Sequence, residues 1–357
     1  MVPAGMEAEE PAVRYRGLVQ ALVAAALFGV ATPFSKTLLA DLNPNLLAGL
    51  LYLGAAVGLL PFVLRRRRLG RPVFPHDRRN RRNLLGAIVF GGIVGPVLLL
   101  AGLRQALAAS VSMWLNLEAV ATAVLAFLFF REHVGKWTWL GSLGVVAAGM
   151  LLSYDAGRPG WVGLLLVAGA SVAWGLDNNF TAVIDGINPE DSTFWKGLIA
   201  GTTNLVIGMV FFPWQFGEGW LWALVLGGLS YGASIVLYIR AAQALGATRA
   251  QLVFASAPFF GVLLAVLWLG EDLSALQLVA AGVLALAIGL IFRDRHGHVH
   301  EHVALTHEHE HRHDDQHHDH QPGELPGTGA HAHVHEHLPL THAHPHWPDL
   351  HHRHHGR

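Results

Sequence analysis

Apolar residues in this chain run in long blocks broken by short polar stretches, and each block is about as long as a helix needs to cross roughly 30 Å of hydrocarbon. The blocks fall near Gly17 to Ala40, Pro44 to Leu64, Asn83 to Leu103, Ala106 to Phe130, Lys136 to Ser153, Gly160 to Val183, Phe194 to Trp214, Gly219 to Leu245, Ala250 to Gly270 and Ser274 to Phe292. The pattern predicts an all-α membrane protein of ten transmembrane helices. Over the 357 residues, 52% are hydrophobic and only 14% charged, too little polar surface to coat a soluble globule of this size.

The pattern also repeats. Leu125 to Phe130 followed by Arg131-Glu132 returns as Leu264 to Leu269 followed by Gly270-Glu271. A Gly-aromatic segment precedes each, Leu27-Phe28-Gly29-Val30 and Ala173-Trp174-Gly175-Leu176. The glycines Gly91-Gly92 and Gly95 of the third span recur as Gly227-Gly228 and Gly232 of the eighth. Five spans per half is an odd number, so the second half is expected to run through the membrane in the opposite sense, with a substrate site where the halves meet. The divisions expected are a cytoplasmic segment 1–16, five-helix repeats at 17–153 and 160–293, and a tail 294–357.

Charge sets the orientation. Arg65, Arg66, Arg67, Arg68, Arg71, Arg78, Arg79, Arg81 and Arg82 crowd the loop after the second span, and basic loops stay cytoplasmic. The juxtamembrane position accounts for this run without a nucleic-acid partner. With Arg131, Lys136, Arg249, Arg293 and Arg295 on the same side, both termini are expected to be cytoplasmic in a multi-pass inner-membrane protein. Glu7, Glu9 and Glu10 precede the first span, which reads as a retained helix rather than a cleaved signal.

Polar groups inside apolar spans are costly and therefore informative. Glu118 lies mid-span, with Trp114 one turn earlier and Asn116 nearby, and is the candidate to take up and release a coupling proton. Asp177 is flanked by Asn178 and Asn179, with Trp174 three residues before it. Lys36 lies one turn beyond Pro33, and its alternative is to snorkel to the headgroups. Tyr231 and Tyr238 share a face of the eighth span. Pro33, Pro96 and Pro258 are expected to interrupt their helices and free backbone carbonyls.

The Phe28-Gly29 to Lys36 segment, its Trp174-Gly175 partner and the spans ending in Glu132 and Glu271 resemble the EamA type of the drug/metabolite transporter superfamily, over roughly Gly17 to Phe292. The resemblance implies two inverted five-helix halves around a central cavity and the movement of small metabolites, usually outward and often by proton exchange. Phe28 stands where the first copy often has Trp.

Beyond Arg295 the composition changes. Of the 24 histidines, 22 lie from His296 onward, among Glu, Asp, Pro and Gly. With no apolar periodicity, this tail reads as disordered until something binds it. His307, His309, His311, His313, His317, His318 and His320 are candidate ligands for Ni, Co, Zn or Cu, since neutral imidazole suits these ions. The chain has no cysteine, which excludes thiolate sites and disulfides.

The sequence is thus read as a secondary transporter exporting a small metabolite, with a metal-binding regulatory tail, no required cofactor and no enzymatic motif. Direct transport of Ni, Co or Zn loaded by the tail is the alternative, and a membrane metal sensor or scaffold a third reading. The partners expected are the lipid bilayer and a small-molecule or ion substrate, and a homodimer is an open assembly.

Overall fold

The computed structural model describes residues 6–130, 136–155, 157–182, 184, 187–245, 253–254, 256–293, 296–302, 305–311, 331–337 and 340–346. Up to residue 293 the described elements are helical. In chain order they are α1 (Met6–Gly29), α2 (Ala31–Leu38), α3 (Pro44–Arg68), α4 (Arg78–Gly86), a π-helical segment (Ala87–Val94), α5 (Gly95–Gln105), α6 (Ala108–Trp114), α7 (Leu117–Phe130), α8 (Lys136–Asp155), α9 (Gly157–Ala182), α10 (Pro189–Phe211), α11 (Gly219–Gly227), a second π-helical segment (Gly228–Ala233), α12 (Ser234–Leu245), α13 (Ala257–Leu269) and α14 (Ala275–Arg293).

Among the described residues, six helical stretches are long and apolar enough to cross a membrane, and shorter apolar helices accompany them at Trp139–Leu151, Ala257–Leu269 and Ala275–Leu290. The fourth span, read as one helix from the sequence, is instead broken at Leu115 and Asn116 between α6 and α7. Pro33, Pro96 and Pro258 sit in the first turns of α2, α5 and α13, where the fixed φ suits the helix. Pro96 still withholds an N–H from the Gly92 carbonyl, because α5 continues directly from the π-helical segment before it.

The bundle closes through glycine. Cβ atoms at Gly54 and Gly227 would run into the Leu224 and Leu51 carbonyls, and one at Gly29 into the Ala257 carbonyl. These contacts let backbones touch, the means by which apolar helices associate where lipid offers no hydrophobic drive. Gly227→Ala is expected to cost about 1 to 3 kcal/mol by overpacking, read as a lower melting temperature in detergent. Outward-facing Val57, Leu165, Val206, Leu221, Leu263, Leu267 and Leu286 stay exposed, as lipid-facing side chains should.

Helix α3 packs along α10, α14 along α8, α12 along α1, and α9 along α5 and α7. In the α3 and α10 pair, Gly49 meets Leu205, Leu53 meets Gly201, and Ala56 meets Gly197. Numbers rise on one helix as they fall on the other, so the two are antiparallel.

The tail departs from the disorder expected of it. Four strands form two antiparallel pairs, β1 (His296–His302) with β4 (Leu340–His346) and β2 (Leu305–His311) with β3 (His331–His337). His alternates with other residues along each strand, and this period of two is the one a strand accommodates.

Candidate functional site: a buried ion pair beside a π-helical segment

Chain geometry loosens first at the glycine pair of the third span. The π-helical segment 87–94 contains Gly91 and Gly92, and Pro96 at the start of α5 has no N–H to offer the Gly92 carbonyl. Side chains take the carbonyls instead. Tyr52 Oη and Trp174 Nε1 both donate to Gly91 O, at 2.6 and 3.0 Å, and Asn204 Nδ2 donates to Gly92 O at 2.9 Å. The second π-helical segment starts at Gly228, so both glycine pairs sit at the same kind of defect. Such bulges often mark functional positions.

Asp177 packs directly on Gly91, where any Cβ would collide with its carboxylate. Its Oδ2 meets Lys196 Nζ at 2.7 Å and its Oδ1 accepts from Thr181 Oγ1 at 3.0 Å. Asp177 is 5% exposed. A pair held this deep has exchanged water for each other and for a hydroxyl. On the facing element, Glu118 Oε1 accepts from Asn178 Nδ2 at 2.9 Å, and the same amide donates to Thr122 Oγ1 at 3.2 Å. A neutral amide thus holds Glu118 where Lys196 holds Asp177.

Tyr231 carries the site toward the middle of the bundle. Its ring lies 5.5 Å from Tyr52 and 5.9 Å from Phe28. It borders a cavity of about 10 Å³, also lined by Thr32, Ser35, Leu99 and Leu115, room for about one water.

The end of the bundle opposite the arginine loop is sealed by charges on backbone. Lys36 Nζ donates to Leu103 O at 2.6 Å and Ala106 O at 2.8 Å, on the last carbonyls around the end of α5. Glu271 accepts from the Ala108 and Ala109 amides at 2.8 and 2.9 Å, at the start of α6. Arg104 donates to Leu39 O and Leu42 O. At the arginine end, Arg66 Nε meets Asp191 Oδ2 at 2.9 Å and ties α3 to α10.

The sequence candidates therefore separate. Trp174 and Asp177 touch the π-helical segment, Asn178 next to Asp177 holds Glu118, and Tyr231 borders the cavity. Trp114 does not join them: it is buried with Nε1 on Gly149 O and its ring against Gly163, a packing residue between α8 and α9. Asn116 Nδ2 bonds locally to Met113 O at the α6–α7 break, and Lys36 seals an end instead of snorkelling. Tyr238 lies against Phe254, with ring centres 4.9 Å apart and the rings tilted by 55°. Lys196, Tyr52, Asn204 and the sealing role of Glu271 were not read from the sequence. Lys196 carried the available signal, a cation inside an apolar block. Glu132, His313, His317, His318 and His320 lie outside the described residues. Among the described residues no group of three or more His, Asp or Glu side chains is gathered to hold a metal.

The EamA-like transporter family model matches twice, over residues 15–154 and 161–293. An uncharacterized transporter of Methanothermobacter thermautotrophicus is 23% identical over 78% of this chain and 87% of its own. One of Synechocystis is 23% identical over 74% and 86%. A solved crystal structure, at 17% identity and TM-score 0.55 over 79% of this chain and 97% of its own, shares the fold.

Proposed function

The chain belongs to the EamA-like transporter family, and on that premise we propose that it exports a small polar metabolite by alternating access between two inverted five-helix halves. The antiparallel register of α3 and α10, the second span of each half, supports the inversion. So does the exchange of partners: α1 takes α12 as α9 takes α5, and α1 takes α13 as α9 takes α7. Each pairing becomes the other when first-half and second-half spans are swapped. Halves related this way present one conformation at one membrane face and its mirror role at the other.

The observation that carries the reading is the Asp177–Lys196 pair pressed on the unwound Gly91 segment, where Trp174 of one half bonds a carbonyl of the other. A charged solute can exchange places with either member of the pair, and the Gly91 and Gly92 carbonyls, held here by Tyr52, Trp174 and Asn204, become further acceptors when those donors let go. Glu118, held by a neutral amide, is the proton carrier. The arginine-rich end is cytoplasmic, so the Lys36 and Glu271 seal faces outward and both termini face inward.

The tail binds Ni, Co, Zn or Cu and adjusts transport to their supply. Direct passage of those ions is the weaker reading, because Glu118, Asp177 and Asn178 offer oxygen ligands, which suit harder cations. A sensor or scaffold without flux is separated by vesicles loaded with labelled metabolites. Glu118→Gln is expected to abolish acceleration of that flux by a pH gradient while leaving slow equilibration. Full pH-driven flux in this variant would remove Glu118 from coupling.

A further inference from the structure

Nine arginines lie between residues 65 and 82, against one acidic residue, Asp77. Arg66 is half-buried and held by Asp191. The other eight are exposed, and among the described residues none of them makes an ion pair. Asp77 is occupied as well: its Oδ1 accepts from the Asn80 amide at 2.8 Å and its Oδ2 from Asn80 Nδ2 at 2.7 Å, which caps α4. Exposed like charges repel one another, and an anion lying across them relieves that repulsion.

The segment that carries these charges is folded against the bundle. Helix α3 stops at Gly70, where φ is 71°, with Gly70 N donating to Arg67 O and Arg71 N to Arg66 O, the pairing of a Schellman turn. The chain then passes over α10, where Trp195 Nε1 donates to Val73 O at 2.7 Å and the Trp195 ring meets Phe74 edge-on at 5.2 Å. Arg81 closes the loop, with Nε on Pro75 O at 2.9 Å and its guanidinium 5.7 Å from the centre of the Phe74 ring. A loop fixed in this way presents its arginines with little further ordering to do on binding.

Apolar neighbours decide which anion fits. On α3, Phe62, Arg65 and Leu69 follow one another at i, i+3 and i+7 and share a face, and on α4 Arg78, Arg82 and Leu85 share one at i, i+4 and i+7. Phe62, Leu69 and Leu85 are 41, 64 and 59% exposed. Both stripes lead from the loop into helical stretches long and apolar enough to cross a membrane, Pro44–Arg68 and Arg78–Gln105. A soluble anion has nothing to lay against these apolar side chains. A phospholipid brings a phosphate for the arginines and acyl chains for the residues below them, and guanidinium meets phosphate oxygens two at a time.

We propose that the α3–α4 loop is a binding surface for anionic phospholipid, with Arg65, Arg78 and Arg82 on headgroup phosphates and Phe62 and Leu85 against the acyl chains. The proposal holds whichever solute the bundle carries.

The test places the full-length protein in bilayers of phosphatidylcholine with a minor share of phosphatidylglycerol. At low salt the protein should retain spin-labelled phosphatidylglycerol over spin-labelled phosphatidylcholine by at least about 5-fold, the factor that one basic group near an anionic surface supplies. Replacing Arg65, Arg78 and Arg82 with Gln should remove most of this preference. Replacing Arg16, Lys136 and Arg240, three exposed cations elsewhere, with Gln should keep it. Equal losses from the two sets would reduce the effect to net charge and overturn the surface. Inorganic phosphate at matched ionic strength should leave the preference unchanged, and displacement of the lipid by it would make the patch a site for soluble anions instead. A photoactivatable phosphatidylglycerol should crosslink the unaltered protein within residues 62–85, and crosslinks spread evenly over the helix ends would overturn the proposal whatever the variants do.

Discussion

Lys196→Met is expected to lower stability by about 3 to 5 kcal/mol and to abolish flux, because it leaves the Asp177 carboxylate buried without its cation. Thr181 Oγ1 would remain as a donor to Oδ1, and Oδ2, 2.7 Å from Lys196 Nζ, would lose its charged partner. The double variant Asp177→Asn, Lys196→Met removes both charges and should recover most of the loss in thermal unfolding, since a neutral pair of similar volume is often as stable as the ions. Flux should stay absent in that variant. Recovery of both stability and flux would make the pair a structural staple and move the substrate elsewhere.

The second large effect is expected at the seal around Lys36 and Glu271. Glu271→Ala leaves the Ala108 and Ala109 amides without the carboxylate that accepts from both. Removing a charged acceptor from buried donors costs about 1 to 3 kcal/mol, which is roughly a 5- to 150-fold shift between closed and open states. Thr32→Cys would report it, since Thr32 lines the small cavity beside Tyr231 and is 3% exposed. Thiol labelling of the Thr32→Cys variant from the Lys36 side should speed up by that factor when Glu271 is also replaced. An unchanged rate would mean that Lys36 and Arg104 hold the end alone. Glu271→Gln should behave closer to wild type than Glu271→Ala, because the amide oxygen still accepts one of the two bonds.

Much of this was legible in the residues, and what was missed follows a rule. Apolar blocks set by length need no tertiary information, so α1, α3, α9 and α10 follow from them directly. Asp177 and Glu118 stood out because a carboxylate in an apolar block demands a partner. Lys196 answers that demand, yet two residues inside its span it looks like an end residue facing headgroups. Glu271 looked like a repeat marker because its work depends on the start of α6 lying beside it in space, which its place in the sequence does not show. Trp114 shows the opposite error. It shares a turn with Glu118, but the helix breaks between them, and each side chain then faces its own neighbours. In the tail, a search for apolar periodicity passed over an alternation carried entirely by histidine.

The proposed alternating access depends on the halves lying in the membrane in opposite senses, and the absence of cysteine from the chain makes this directly measurable. Arg71→Cys follows α3 and Gly217→Cys follows α10, equivalent loops of the two halves in positions that the antiparallel pair puts at opposite ends of the bundle. In intact cells a membrane-impermeant thiol reagent should label the Gly217→Cys variant and leave the Arg71→Cys variant unlabelled until the cells are opened. Labelling of both from one side would contradict the inverted halves, and with them the alternating carrier built on Asp177, Lys196 and Gly91.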